Sequence, residues 1–420
     1  MDKFVIKGGV PLEGEVQLSG AKNASLPIMA ASLLTDGKCI IQGVPDVTDV
    51  KTMARILEFL GAKISFEKDR VEISPPKRPH FEAPYEFVKK MRASYYVLGP
   101  LIAKFKKARV SLPGGCAIGT RPVDLHLKGL QELGCNIDIV HGYIEASCQK
   151  LRGKHIYLAG PKGSSVGATI NVMSAATLSS DTTVIEGAAC EPEVVDCANF
   201  LKCMGAKIDD AGSPLIKIKG VKRLKGCSYR IIPDRIEAGT FAFAAAATNG
   251  DVKIKGGRVE HLQSVLDKLK EAGVKIKRIP GGIRVSSGRA KTPINISVAP
   301  YPGFPTDLQA QAMAMLTKVK GISIVTETIF ENRFMQVPEL IRLGADISIE
   351  GNSAIIKGKK RLEGAPVMAS DLRASAALVI AGLIANGETS VSRIYHLDRG
   401  YESLEKKLGN LGAKIERVAE

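Results

Sequence analysis

At 420 residues, with 45% apolar and 24% charged side chains, the chain is too long for one core and too apolar for a disordered segment, so two or three globular domains are expected. A formal net charge of +16 points to an anionic partner and leaves phosphorylated small molecules, nucleic acid and acidic surfaces all open. Met1 to Gly9 carries no basic-then-apolar leader, no stretch holds the roughly 18 uninterrupted apolar residues of a membrane span, and the eight cysteines include no CxxC pair, which together predict a cytoplasmic protein with reduced thiols, no membrane insertion and no structural metal.

Taken in order, the chain repeats one unit. A short signature recurs at FLGAKI (ending at Ile64), ELGCNI (Ile137), CMGAKI (Ile208), EAGVKI (Ile276), RLGADI (Ile347) and NLGAKI (Ile415), about 70 residues apart. Each glycine stands where an amphipathic helix such as Val50 to Leu60 or Leu262 to Ala272 ends and a strand begins, and is therefore read as a helix C-cap. Upstream of each signature lies a second helix of small and apolar residues: 26–34, 93–103, 168–178, 238–248, 308–317 and 374–385. Helices apolar on every face belong inside a core. Each is followed by a short strand, at 39–42, 109–112, 183–186, 252–255, 322–326 and 389–393. The expected unit is strand, buried helix, strand, outer helix, strand, strand, and right-handed strand–helix–strand crossovers predict mixed sheets wrapped around the buried helices.

The joints repeat as well. Phe4 to Gly14 (FVIKGGVPLEG) matches Ile216 to Gly226 (IKIKGVKRLKG) and Ile355 to Gly364 (IIKGKKRLEG), so the chain begins with the end of a unit, and the last unit breaks off after Ile415. Residues 1–21 are therefore expected to complete the last unit. The predicted domains are 22–232, and 1–21 together with 233–420, with a ligand cleft between them.

In the second unit the run PGGCAIGTRPVDLH, Pro113 to His126, places Cys116 in a glycine loop before Arg121 and before Pro122 at a helix start. A thiol, an arginine and a helix N-terminus can form an anion site with an acid beside it; an ordinary surface loop with a buried cysteine fits the same residues. The starts of the six inner helices bear on this choice. They carry Lys22-Asn23, Arg92, Ser164 to Gly167, Asp234-Arg235, Thr306-Asp307 and Asp371 to Arg373. Ser, Thr and Asp cap helices for stability alone. Cations there oppose the helix dipole and make sense chiefly if an anion shares the position. Arg333 and Arg399, expected to open outer helices as Arg121 does, extend the set, and arginines suit bidentate grips on carboxylate and phosphate.

GAKNA at Gly20 to Ala24, the Cys116 loop, SVGAT at Ser165 to Thr169, Pro305 to Asp307, ENRF at Glu331 to Phe334, DLRA at Asp371 to Ala374 and DRGY at Asp398 to Tyr401 resemble the UDP-N-acetylglucosamine 1-carboxyvinyltransferase family, in order along the whole chain. The resemblance implies an α/β fold, a two-domain inside-out α/β barrel of six repeats. It implies the first committed step of bacterial peptidoglycan synthesis: transfer of the enolpyruvyl group of phosphoenolpyruvate to the 3-hydroxyl of UDP-N-acetylglucosamine, through a tetrahedral ketal, with release of phosphate. Those two small molecules are the expected partners, with no nucleic acid, no cofactor and no metal; the oligomeric state is not readable.

By the same resemblance, Cys116 is the loop cysteine associated with proton donation to the enolpyruvyl methylene, with a covalent phospholactyl adduct and with product release, as acid or as nucleophile, and is the site of alkylation by fosfomycin; Asp307 is the base for the sugar hydroxyl. Lys22, Arg121 and Arg399 match the phosphate grip, and Arg333 and Arg373 the carboxylate grip. Asn23, Arg92, Arg121, Pro122, Val123, Asp124, Leu125, Ser165, Val166, Gly167 and Ile329 match contacts to the UDP-sugar. Two rivals remain in view. The sister transferase acting on shikimate 3-phosphate lacks the GAKN start and the Cys loop. A repeat-built nucleic-acid protein would fit the charge, but few aromatics are interleaved with the basic residues.

Overall fold

The computed structural model describes residues 2–89, 91–112, 123–286 and 290–419, and the backbone but not the side chain at position 92. The described residues contain six four-stranded sheets, one per repeat, and a two-stranded hairpin at 159–164. The fifth repeat shows the plan. Strand Ile296–Ser297 runs parallel to Ile322–Thr326, which pairs antiparallel with Ser353–Lys357, which in turn pairs antiparallel with Asp346–Glu350. Between the first two strands lies the inner helix Gln309–Leu316, and the outer helix Val337–Arg342 leads into the last two. The crossover pair is parallel and the hairpin antiparallel, so the sheets are mixed.

The signature glycines explain why each outer helix stops where it does. Gly61, Gly134, Gly205, Gly273, Gly344 and Gly412 all have φ between +90° and +103°. A β-carbon is unfavourable in that region, so glycine at these positions ends the helix and releases the following strand.

The inner helices are buried nearly all round: every residue of Leu372–Ile384 except the first, and every residue of Arg235–Thr248 except the last. Their alanines and glycines let backbones approach. A β-carbon on Gly239 would stand 2.3 Å from a Leu308 methyl, and one on Gly99 would stand 2.4 Å from the Asn171 carbonyl oxygen. Two inner elements open with a tighter turn than the expected plain helix. Arg92–Val97 and Thr306–Leu308 are 3-10 turns leading into Leu98–Phe105 and Gln309–Leu316.

The described residues of 1–19 and 233–420 form one compact unit and those of 20–232 another. Each holds three of the sheets around its own hydrophobic core. Strand Asp2–Lys7 lies between Glu388–Ser392 and Lys414–Ala419, antiparallel to both, and so supplies the strand that the sixth repeat lacks. The expectation that all of 1–21 completes that repeat needs correction. Strand Glu13–Gln17 pairs parallel with Asp251–Lys255 of the fourth repeat, and Ser228–Arg230 pairs parallel with Cys39–Gln42 of the first. The first and fourth repeats have thus exchanged their opening strands, each sheet taking the strand that precedes the other repeat's inner helix.

A buried polar cluster fixes the end of the N-terminal segment. The Glu237 carboxylate accepts hydrogen bonds from the Ser19 backbone N–H at 2.7 Å and from Lys407 Nζ at 2.6 Å, and Lys407 Nζ also donates to Ser19 Oγ at 2.7 Å. The Ser19 hydroxyl donates in turn to Glu402. Burial pushes the Glu237 carboxyl up to about 7, against the opposing pull of Lys407. A carboxyl whose folded value lies above its unfolded one binds its proton more tightly in the native state, so stability falls as pH rises from about 4.5 to 7. Glu237→Gln is expected to remove that pH-dependence, on the order of 3 kcal/mol in total across the window, measured by urea unfolding at a series of pH values.

Candidate active site

In the 20–232 unit, Lys22 is the first residue of the helix Lys22–Ala31 and is only 9% exposed. Its ammonium pairs at 3.1 Å with Asp49, itself 3% exposed, on the outer helix Thr48–Phe59 of the same repeat. The anion that the dipole argument requires beside this cation is therefore supplied in part by the chain itself. Gly20, two residues earlier, has no room for a side chain: a β-carbon would sit 1.7 Å from the Gly43 carbonyl oxygen and 2.7 Å from an Ile231 methyl. Gly20→Ala is expected to cost about 1–3 kcal/mol of stability and to displace Lys22 and Asn23, which thermal unfolding together with ligand titration would register.

Val123, Asp124 and Leu125 stand at the start of the outer helix Asp124–Glu132. Ser165 caps the helix Val166–Ala176, its hydroxyl accepting from the Ala168 N–H at 3.3 Å. The His126 ring covers that helix start closely: a β-carbon on Gly167 would lie 2.9 Å from both His126 Cε1 and Nε2. Asn171 sets the ring's protonation. Its Oδ1 accepts from the Gly99 N–H at 2.8 Å, so its Nδ2 is the donor to the Tyr95 carbonyl and to His126 Nδ1, each at 2.9 Å. In the neutral ring an accepting Nδ1 puts the proton on Nε2, the nitrogen at Gly167. Cys116, Arg121 and Pro122, and the side chain of Arg92, lie outside the described residues.

In the 233–420 unit the geometry is tighter. Asp307 sits in the 3-10 turn Thr306–Leu308, and its two carboxylate oxygens each take one arginine: Arg333 Nη2 on Oδ1 at 2.8 Å and Arg373 Nη2 on Oδ2 at 2.7 Å. Both guanidiniums are 5% exposed, whereas the Asp307 side chain is 27% exposed. A partly accessible carboxylate is thus held by two buried cations on separate segments. Arg373 also lies over the Tyr401 ring, 5.5 Å from its centroid. The Tyr401 hydroxyl, raised above its ordinary value by burial, is bonded to Thr240 at 2.8 Å and to Gln311 Nε2 at 3.2 Å. Gln311 Nε2 in turn donates to the Asp307 carbonyl at 3.0 Å. This chain of buried hydrogen bonds locks the turn that presents Asp307.

Ile329 is positioned by a residue that the sequence reading did not single out. Glu327, 2% exposed, accepts from the Ile329 N–H at 2.8 Å, from the Phe330 N–H at 3.2 Å and from the Thr306 hydroxyl at 2.7 Å. It joins the Asp307 turn to the Ile329 turn. Two expectations change. Arg333 precedes Val337–Arg342 by a turn rather than opening that helix, and Arg399 ends the 3-10 turn Ile394–Arg399, ahead of the outer helix Leu404–Asn410. Arg399 is half-buried beside His396, which burial pushes below its ordinary value with the Arg399 charge adding to the effect. The aspartates at 234 and 371 accept from the backbone N–H groups of their own helices and act as caps.

The missed residues had weak signals. Asp234-x-x-Glu237 has the spacing of a capping box, which would turn Glu237 back to its own helix rather than to Ser19. Asp49 and Glu327 are single acids in ordinary surroundings. Among the described residues no group of three or more His, Cys, Asp or Glu side chains is arranged to hold a metal ion.

Residues 6–408 match the EPSP synthase (3-phosphoshikimate 1-carboxyvinyltransferase) family. The chain is 55% identical over 419 residues to the UDP-N-acetylglucosamine 1-carboxyvinyltransferase of Thermodesulfovibrio yellowstonii, covering all of both chains. It is 56% identical over 418 residues to that of Methylacidiphilum infernorum, covering 100% of this chain and 99% of the relative. Among solved structures, the enolpyruvyl transferase NikO of Streptomyces tendae superposes with a TM-score of 0.89 at 23% identity, covering 100% of this chain and 99% of that one. EPSP synthase of Acinetobacter baumannii superposes with a TM-score of 0.76 at 18% identity over all of both chains. At those identities the two structures speak for the fold alone.

Proposed function

Because the chain belongs to the EPSP synthase family of 1-carboxyvinyltransferases, we propose that it is the member that uses UDP-N-acetylglucosamine, moving the enolpyruvyl group of phosphoenolpyruvate to the sugar 3-hydroxyl and releasing phosphate. The observation that carries this choice of acceptor is identity above one half, end to end, with relatives named for that reaction. In a bacterium this is the first committed step toward peptidoglycan, carried out in the cytoplasm. Among the described residues no helix is long and apolar enough to cross a membrane.

The chemistry divides among residues as follows. The Cys116 thiol gives its proton to the methylene carbon of the enol, which leaves positive charge at the adjacent carbon. Asp307 takes the proton of the sugar hydroxyl as its oxygen bonds to that carbon, forming the ketal. Loss of a methyl proton and of phosphate then restores the double bond. Arg333 and Arg373 hold the carboxylate of phosphoenolpyruvate, and their existing grip on the Asp307 carboxylate is the support for this role. Two buried guanidiniums that already bind one carboxylate have the charge and the fork geometry for another.

Lys22, Arg121 and Arg399 hold the phosphate. Asn23, Arg92, Arg121 to Leu125, Ser165 to Gly167 and Ile329 contact the UDP-sugar, with the backbone N–H groups at the start of Val166–Ala176 suited to an anion. The charged ketal gains most from countercharges fixed in advance, and the hydrogen bonds around Asp307 and Arg373 provide that fixation. The deciding experiment is phosphate release from phosphoenolpyruvate with UDP-N-acetylglucosamine or with shikimate 3-phosphate as acceptor. Release is expected with the first and not with the second; the reverse result would assign the chain to the sister reaction.

A further inference from the structure

Two cysteines that the reaction does not use face each other across a hairpin. Strands Asn136–Val140 and Tyr143–Ser147 are joined by His141 and Gly142, with φ of 48° and 77°, the two-residue turn with both central residues left-handed that matches strand twist. The register pairs Val140 with Tyr143 and Asn136 with Ser147. One step further along the same register, Cys135 stands opposite Cys148. Counting alternately from the turn, this is a non-hydrogen-bonded position, and the backbone agrees: the Cys135 N–H goes to the Leu130 carbonyl at 3.1 Å and the Cys148 N–H to the Lys106 carbonyl at 3.0 Å. At such positions the Cα atoms stand about 4.5 Å apart, at the short end of the roughly 4.4–6.8 Å that a disulfide spans. The Cys148 thiol donates to the Ile102 carbonyl at 3.9 Å, so in the reduced protein its proton lies on the helix side of the pair.

We propose that Cys135 and Cys148 form a reversible disulfide by exchange with a low-molecular-weight disulfide of the glutathione class. The Cys148 thiolate attacks one sulfur of that molecule, forming a mixed disulfide and expelling one small thiolate. Cys135 then gives up its proton to solvent and attacks the Cys148 sulfur, expelling the second. Two protein thiols are oxidised, one small disulfide is reduced to two thiols, and no other reactant is needed.

The direction of attack follows from the surroundings. The neighbouring Cys135 thiol lowers the Cys148 thiol to about 7, against desolvation, with the Lys106 charge adding to the effect, while the same neighbour and burial push Cys135 up. Cys148 is 8% exposed and Cys135 5%, so both residues are buried and the attacking residue is the slightly more exposed one. The Cα span at such a position lies within the disulfide range, so the bridge can close without rearranging the hairpin backbone.

The test uses the intact folded protein, incubated with oxidised glutathione, quenched with N-ethylmaleimide and mapped by peptide mass spectrometry without reduction. The expected result is a linked pair of peptides containing Cys135 and Cys148, lost on adding reduced glutathione. Cys135→Ser should stop at a stable glutathione adduct on Cys148. Alkylation of Cys148 by iodoacetamide should show a pH midpoint near 7 that rises in Cys135→Ala. The proposal is overturned if Cys148 stays unmodified, if glutathione remains on Cys148 of the unsubstituted protein, if the bridge forms only after denaturation, or if the midpoint lies at the ordinary thiol value of about 8.5.

Discussion

Asp307→Asn is expected to lower turnover by about 10²–10⁴-fold, the usual contribution of a positioned general base. In the base role proposed for it, the carboxylate is held by Arg333 and Arg373, one on each oxygen. The substitution also disturbs those partners. An amide presents one acceptor and one donor, so its NH₂ group would face a guanidinium that has only donors to offer. With both guanidiniums 5% exposed, breaking such a pairing costs about 3–5 kcal/mol. An added carboxylate ligand should recover part of that loss. Phosphoenolpyruvate is therefore expected to raise the unfolding temperature of the Asn variant by more than that of the unsubstituted protein, while turnover stays low. Unchanged turnover at saturating substrate would remove Asp307 from the base role. An equal or smaller thermal response would argue that the two arginines do not receive the substrate carboxylate.

Fosfomycin is expected to add its whole mass to a single peptide, the one containing Cys116, and Cys116→Asp should abolish the labelling. Opening the epoxide by a thiolate is an addition, so no atoms are lost. The other thiols make the outcome informative. Cys203 is exposed, and Cys148 is lowered to about 7, so exposure alone would direct the reagent to the first and acidity alone to the second. Labelling of Cys116 in preference to both requires recognition of the phosphonate, the task proposed for Lys22, Arg121 and Arg399. Modification of Cys203 or Cys148 in place of Cys116 would overturn the assignment of the loop thiol.

Features encoded over short stretches were legible without coordinates. The six signature glycines mark helix ends because a helix stops where a left-handed residue follows, and all six have the positive φ that this needs. The strands at Cys39–Gln42 and Ile322–Thr326 were placed to the residue, and the inner helices were placed to within a few residues at either end. Four of the six inner-helix starts carry a cation, which pointed to anions there. Which anion each cation would meet was not legible, since Asp49 lies 27 residues from Lys22 and Asp307 lies 66 from Arg373. Nothing in the local sequence of either aspartate distinguishes it from a solvated surface acid.

The sequence by itself determined the repeat, its helix ends and the residue types at each inner helix start, because helix periodicity, left-handed caps and apolar faces are properties of neighbouring residues. Only the tertiary structure decided that Glu13–Gln17 and Ser228–Arg230 exchange sheets, that Glu237 serves Ser19 and Lys407 instead of its own helix, and that one aspartate stands between two buried arginines. Strand pairing and buried charge pairing are contacts between segments far apart in the chain. Their energies depend on which surfaces the folded units bring together and seal from water, and no local pattern records that.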